Sequence, residues 1–280
     1  MTTPDLGAVA FAVRDATRPL LVLGPSLGTS VEAVWHDVVP LLDGELDVVG
    51  WDLPGHGSSP AVEPGTLDDL TMADLAAAVL ALVDRAQAER GDAGAPFWYA
   101  GVSVGAAVGQ QLLLDAPGRV RGALLCCTAA RFGEPGPWRE RGALVAAAGT
   151  PTQVAAAAGR WFAPGFLERA PDVGTRLLTA LQTADRFGYA AVCGALSRFD
   201  VRDRLAGVDA PVIAVAGADD PATTPDDVAE VARGVRRGRL VVIDGAAHLA
   251  PAERPGRTAA LVRDLVTDLA TDRVTEEAGR

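Results

Sequence analysis

The chain predicts an α/β fold, a mainly parallel central sheet flanked by helices. Three observations carry this reading. Short runs that are apolar throughout recur at residues 20–23, 48–51, 97–101, 124–127, 212–217 and 240–243, and continuous rather than alternating apolarity is what a strand covered on both faces requires. Most of these runs are separated by stretches with helical spacing, the alternation from which parallel sheets are built. A length of 280 residues with 49% hydrophobic content is also enough to bury one large core, with or without an inserted subdomain.

The elements follow in order. The first run, 20–23, opens into Gly24-Pro25-Ser26-Leu27-Gly28-Thr29, and the second, 48–51, opens into Asp52-Leu53-Pro54-Gly55-His56-Gly57-Ser58. A helix is expected from about Thr66 to Arg90, with acids in its first turn and Arg85 and Arg90 near its end, as the helix dipole favours; Gly91-Asp92-Ala93-Gly94 stops it. The third run passes directly into Gly101-Val102-Ser103-Val104-Gly105 and then an Ala/Leu-rich helical stretch, so Ser103 stands on a strand-to-helix turn. After Thr128 the alternation breaks. Residues 131–204 hold no convincing strand, only short helical stretches divided by Pro135, Pro137, Pro151, Pro164 and Pro171. An all-helical cap inserted into a core of residues 1–130 and 205–272 keeps the sheet intact; a separate helical domain with no part in the chemistry is the other reading. Residues 273–280 are charged and expected to be frayed.

Composition excludes several functions. A net charge of −11 argues against nucleic-acid binding, which needs a concentrated basic surface. All 25 basic residues are Arg, which with the abundant Ala is the mark of a GC-rich coding sequence rather than of function. No apolar stretch is long enough to span a bilayer, and the N-terminus has no basic region followed by an apolar one, so a cytoplasmic protein without membrane contact is expected. Three cysteines, two of them adjacent at Cys126-Cys127, make neither a disulfide framework nor a zinc-ligand spacing; no metal site is expected. Oligomeric state is not legible in the sequence.

The Gly-x-Ser-x-Gly turn resembles the nucleophile elbow of the α/β-hydrolases, in which a later acid and a later histidine complete the set. A serine hydroxyl is a poor nucleophile at neutral pH and needs such a base, itself oriented by a third group. Of the three histidines, His248 follows the last apolar run and is the expected base. His36 reads as a surface residue on a helix and His56 as structural. For the acid, Asp219 and Asp220 share one turn after the run 212–217; the family's spacing favours Asp220, with Asp219 as the alternative, while Asp244 lies too close to the histidine. Oxyanion donors are expected from the Val104 amide at a helix N-terminus and, by position, from the Leu27 amide.

Ser26-Leu27-Gly28-Thr29 replaces the superfamily's usual His-Gly pair and resembles the 3-oxoadipate enol-lactonases of aromatic catabolism. The likeness continues through Leu125-Cys126-Cys127-Thr128-Ala129-Ala130-Arg131, Trp138 with Arg141, Arg160-Trp161-Phe162 with Pro164 and Phe166, and Gly188-Tyr189-Ala190 with Cys193. Pro25, Cys127 and Ala106 depart from it, standing where asparagine, asparagine and glycine are expected. The resemblance implies an α/β-hydrolase fold with the cap after the sixth strand, and a small anionic enol-lactone as substrate. It implies hydrolysis through an acyl-enzyme on Ser103, with His248 and Asp220, and no cofactor. The substrate's carboxylate calls for a cation, and Arg131, Arg141 and Arg160 are the candidates, with Ser26, Trp138 and Trp161 as further pocket residues. Taken singly, each Arg reads first as solvated or helix-stabilising, and the aromatics read equally as packing. A carboxylesterase, a carbon–carbon bond hydrolase and a non-catalytic small-molecule-binding protein are the alternatives.

Overall fold

A computed structural model describes residues 3–11 and 15–278, with side chains as far as Thr267. Seven strands form one sheet: β1 (Ala8–Ala10), β2 (Leu20–Gly24), β3 (Asp47–Trp51), β4 (Phe97–Val102), β5 (Val120–Cys126), β6 (Val212–Gly217) and β7 (Gly238–Ile243). Their spatial order is β1-β3-β2-β4-β5-β6-β7, with every pair parallel except β1 and β3. The six apolar runs are the six parallel strands. β2 to β6 are buried almost without interruption, because helices cover both faces. β1 has no counterpart among the expected strands: three residues with two exposed are too short to show a period.

The helices are α1 (Val31–Trp35), α2 (Met72–Arg90), α3 (Val104–Asp115), α4 (Pro135–Ala148), α5 (Val154–Trp161), α6 (Phe166–Arg169), α7 (Pro171–Thr183), α8 (Arg186–Arg198), α9 (Pro225–Gly234), α10 (Ala250–Glu253) and α11 (Pro255–Ala278). α2 starts later than Thr66. Thr71 accepts the amide of Asp74 at 3.1 Å while the Asp74 carboxylate accepts the amide of Thr71 at 3.0 Å, a reciprocal cap that sets the first turn. Residues before it close as turns, Thr66 on Glu63 and Leu70 on Leu67. α11 continues through 273–278, part of the segment expected to be frayed; the side chains there lie outside the described residues.

Helices α4 to α8 lie between β5 and β6, as an insertion at the carboxyl end of the sheet. Counted on the described strands it follows the fifth, Val120–Cys126, the run after which it was expected. The chain entering and leaving the insertion is tied at its base by a bridge between Arg131 and Asp200 and by the Val201 amide on the Ala130 carbonyl at 3.0 Å. Among the described residues no helix is long and apolar enough to cross a membrane.

The chain turns back on itself at β2: β3 lies on one side of it and β4 on the other. In open parallel sheets such a reversal leaves a crevice outside the carboxyl ends of the two strands, the usual place for a ligand. At the opposite end, Asp47 at the start of β3 meets Arg90 at the end of α2 at 2.5 Å, with both side chains 1% exposed, and Arg90 also donates to the Arg18 carbonyl at 3.0 Å. Removing one member of a buried pair leaves the other charge uncompensated. Arg90→Met is therefore expected to lower unfolding free energy by roughly 3–5 kcal/mol in urea denaturation, whereas a loss below about 1 kcal/mol would mean that water reaches Asp47.

Candidate active site

Ser103 has φ 55 and ψ −114, a positive-φ conformation that a residue with a side chain holds only when its surroundings impose it. Here they do so through hydrogen bonds on both sides of the residue. The Ser103 amide donates to the Cys126 carbonyl at 2.8 Å, and the Ser103 carbonyl accepts from the Ala107 amide at 2.9 Å and the Thr128 hydroxyl at 3.1 Å. Gly105 makes the turn possible. Its amide donates to the Pro25 carbonyl at 3.0 Å, and a Cβ at this position would lie 2.3 Å from that oxygen. The elbow and the loop after β2 are thus in backbone contact.

That loop is a compact turn. The Thr29 amide donates to the Ser26 carbonyl at 3.0 Å, and the Thr29 hydroxyl accepts the Ser26 amide at 3.1 Å. The Leu27 amide at its apex has no acceptor among the described residues, nor has the Val104 amide, which opens α3 where helical N–H groups are unpaired. Two free donors on either side of a serine are the arrangement that binds an oxyanion.

The loops after β6 and β7 bring Asp220 and His248 together. Nδ1 of His248 lies 2.9 Å from Oδ2 of Asp220, and both residues are buried. That oxygen also accepts the Thr223 hydroxyl at 2.7 Å, while Oδ1 accepts the amides of Ala222 at 2.8 Å and Thr223 at 3.1 Å. Burial pushes the Asp220 carboxyl up, but the charge and hydrogen bond of His248, the Thr223 hydroxyl and the Ala222 amide outweigh it and hold the group below the ordinary value. A histidine whose Nδ1–H is bound to a carboxylate leaves its Nε2 available to accept a hydrogen bond. Asp219 and Asp244 are exposed, and no contact of either with His248 is found among the described residues. Gly217, at the end of β6, lets the two loops approach, since a Cβ there would lie 2.2 Å from the Ala247 carbonyl.

Ser103 and His248 open onto one cavity of about 140 Å³, whose walls include Ser26, Leu27, Trp138, Arg141, Arg160 and Trp161. Neither Arg141 nor Arg160 forms an ion pair among the described residues. Arg141 lies over the Trp138 ring at 4.4 Å from its centroid. Burial, and then the charge of Arg141, lower the Arg160 pKa. Arg131 is not part of it: its guanidinium pairs with Glu134 at 2.9 Å at the edge of the cap, because its backbone is engaged with Asp200 at the base of the insertion. A larger groove of about 300 Å³ between α4, α8 and residues 62–68 lies on the far side of Trp138 and does not include Ser103.

Sequence reasoning assigned no role to three residues. Thr223 donates its hydroxyl to Asp220 and lines the cavity. Its signal is local, a threonine three residues after an aspartate in a turn. Tyr189 lines the cavity too, and it stacks on His56 with ring centroids 6.1 Å apart. Glu253 is buried behind the His248 loop. His36 is exposed beyond α1, as expected, and His56 is buried with Nδ1 2.8 Å from the Pro54 carbonyl.

Two measurements follow from this geometry. In cleavage of a simple aryl ester, Asp220→Asn is expected to lower kcat by about 10³–10⁴ by fixing the wrong tautomer, whereas Asp219→Asn stays within about twofold; equal effects would remove the assignment. Burial lowers the His56 pKa from 6.5 to about 4. Because the folded value is depressed, the unfolded chain takes up this proton first, so stability present above pH 6.5 is lost as pH falls towards about 4, by up to about 3 kcal/mol. Urea midpoints at pH 7 and pH 5 should therefore differ more for the natural chain than for His56→Gln.

Comparison with known proteins agrees with the architecture. The sequence profile of the α/β hydrolase family matches residues 21–261. The chain is 32% identical to 3-oxoadipate enol-lactonase 2 of Acinetobacter baylyi over 256 residues, covering 91% of each chain. It is 30% identical to 3-oxoadipate enol-lactonase 1 of the same organism, over 85% of this chain and 84% of that one. The crystal structure of the enol-lactonase from Burkholderia xenovorans LB400 superimposes with a TM-score of 0.85 at 29% identity, covering 94% of this chain and 96% of that one. The protein belongs to the α/β hydrolase family, and within it the chain is similar to the 3-oxoadipate enol-lactonases.

Proposed function

We propose that the protein hydrolyses 3-oxoadipate enol-lactone to 3-oxoadipate by a serine mechanism. The observation that carries this reading is the pair Arg141 and Arg160, without acidic partners among the described residues, in the same small cavity as Ser103 and His248. A neutral ester gains little from two half-buried guanidiniums, whereas a lactone with a carboxylate arm offsets one of the two charges and accepts hydrogen bonds from both. A cavity of about 140 Å³ also suits a substrate smaller than those that fill the usual range of about 300–1,000 Å³. The similarity to relatives named 3-oxoadipate enol-lactonase points the same way.

Chemistry then follows from the groups in place. Ser103 Oγ attacks the lactone carbonyl as His248 Nε2 takes its proton, Asp220 stabilises the imidazolium, and the Leu27 and Val104 amides hold the oxyanion. Collapse of the tetrahedral species breaks the ring C–O bond, and the imidazolium returns the proton to the enol oxygen. The enol ketonises while the chain stays attached to Ser103. Water, activated by His248, then releases 3-oxoadipate. The free carboxylate arm lies against Arg141 and Arg160 throughout, which fixes which carbonyl meets the serine.

The test is the ultraviolet decay of freshly generated enol-lactone. The natural chain should consume it rapidly, Ser103→Ala should not, and a simple aryl ester should be cleaved far more slowly. Arg160→Gln should raise KM for the lactone roughly tenfold, the worth of one charge-assisted hydrogen bond, and leave the neutral ester unaffected. Serine-dependent ester cleavage with no loss of lactone would retain the nucleophile and reject the substrate.

A further inference from the structure

The segment that carries His248 is fixed by tertiary bonds rather than by secondary structure. β7 ends at Ile243, and α10, which follows, is a single turn. Both chain neighbours of His248 are engaged. The Ala247 amide donates to Glu253 Oε1 at 2.7 Å, and the Leu249 amide donates to the Trp161 carbonyl at 3.2 Å. The other carboxylate oxygen, Glu253 Oε2, accepts the amide of Ala163 at 2.8 Å. One buried carboxylate therefore spans two backbone amides, one adjoining the base and one in the cap segment that follows Arg160 and Trp161.

Burial pushes the Glu253 carboxyl up, and the two amides are the opposing influence that favours its ionised form. A side chain needed only to fill space would be apolar there, since a buried carboxylate is costly unless its oxygens are paired. Each oxygen of Glu253 has one donor, and the two donors belong to different parts of the fold. We propose that Glu253 is a positioning residue that ties the cap segment at Ala163, just after the cavity-lining Arg160 and Trp161, to the loop of His248, holding the base in register with a ligand seated against Arg160 and Trp161. The proposal rests on the reading of Ser103, His248 and Asp220 given above.

The test reads the base without using the lactone. A fluorophosphonate forms an Oγ–P bond to Ser103 as its P–F bond breaks, fluoride leaves, and the serine proton passes to His248. Glu253→Gln keeps the size of the side chain but sets an amide NH₂ against one of the two backbone N–H groups. In folded protein it should lower both the phosphonylation rate and kcat for an aryl ester roughly tenfold or more, with KM within about twofold. Ala163→Pro removes the cap donor alone, and Phe162 already has the extended backbone that a following proline requires, φ −121 and ψ 138. It should lower kcat in the same way, and it decides the matter if Glu253→Gln does not fold. An unchanged phosphonylation rate in folded Glu253→Gln overturns the proposal, as does an unchanged rate in Ala163→Pro. If the natural chain and Ser103→Ala are labelled alike, the nucleophile reading itself fails, and this proposal fails with it.

Discussion

The close backbone approach between the end of β4 and the loop after β2 is the constraint on which the site depends. Gly105 donates its amide to the Pro25 carbonyl, and Tyr99 beneath it donates its hydroxyl to the Gly105 carbonyl at 2.6 Å. These bonds hold the strained Ser103 and place the Leu27 turn beside it, so the serine and the amides beside it are set by one contact. The reversal of strand order at β2 creates the crevice, and small residues allow the two backbones to close it to hydrogen-bond distance. Everything else at this end of the sheet is arranged around that fixed edge.

Buried charge is handled differently at each place it occurs. Asp52 is pushed up by burial, yet it caps α1 through the Val31 amide at 2.6 Å and holds the Ser58 amide at 2.8 Å, which fixes the loop that carries His56. Asp220 is held down by its histidine, and Glu253 is matched by two amides from separate segments. Arg141 and Arg160 stand apart because neither has an acidic partner among the described residues. In a chain of net charge −11, a cavity with two such cations is a local exception, and the proposed anionic substrate would match it. Long-range repulsion of that ligand by the acidic surface is screened over about 8 Å at physiological ionic strength, so the local pair decides.

The cap is more than a lid laid on the core. The end of α5 accepts the Leu249 amide through the Trp161 carbonyl, and the segment after it reaches the Ala247 side of the histidine only through Glu253, while α8 reaches the loop after β3 through Asp185, whose amide donates to the Gly55 carbonyl at 2.7 Å. Asp185 also caps α8 through the amides of Phe187 and Gly188 at 3.0 and 2.8 Å. The cavity walls and the reacting groups therefore share a backbone framework. Cys127 illustrates the cost of that framework: it is held at φ 50, a region more comfortable for asparagine, by its amide on the Val215 carbonyl at 2.7 Å.

The sequence by itself determined the six parallel strands, the turn of Ser103, the helical insertion and the place of His248 after the last strand, because each is written in local pattern: continuous apolarity, glycines around a serine, proline-broken helical stretches, and position after a strand. The start of α2 was misplaced because the reciprocal cap of Thr71 and Asp74 outweighs the acids at 68 and 69, and β1 was too short to read. Tertiary structure alone decided between Asp219 and Asp220, since adjacent side chains on one turn differ only in which way the fold directs them. It alone excluded Arg131 from the cavity and brought Arg141 and Arg160 into it, and it alone revealed the bridging role of Glu253. Those are contacts between segments far apart in the chain, fixed by how the cap packs on the core, and no local pattern records them.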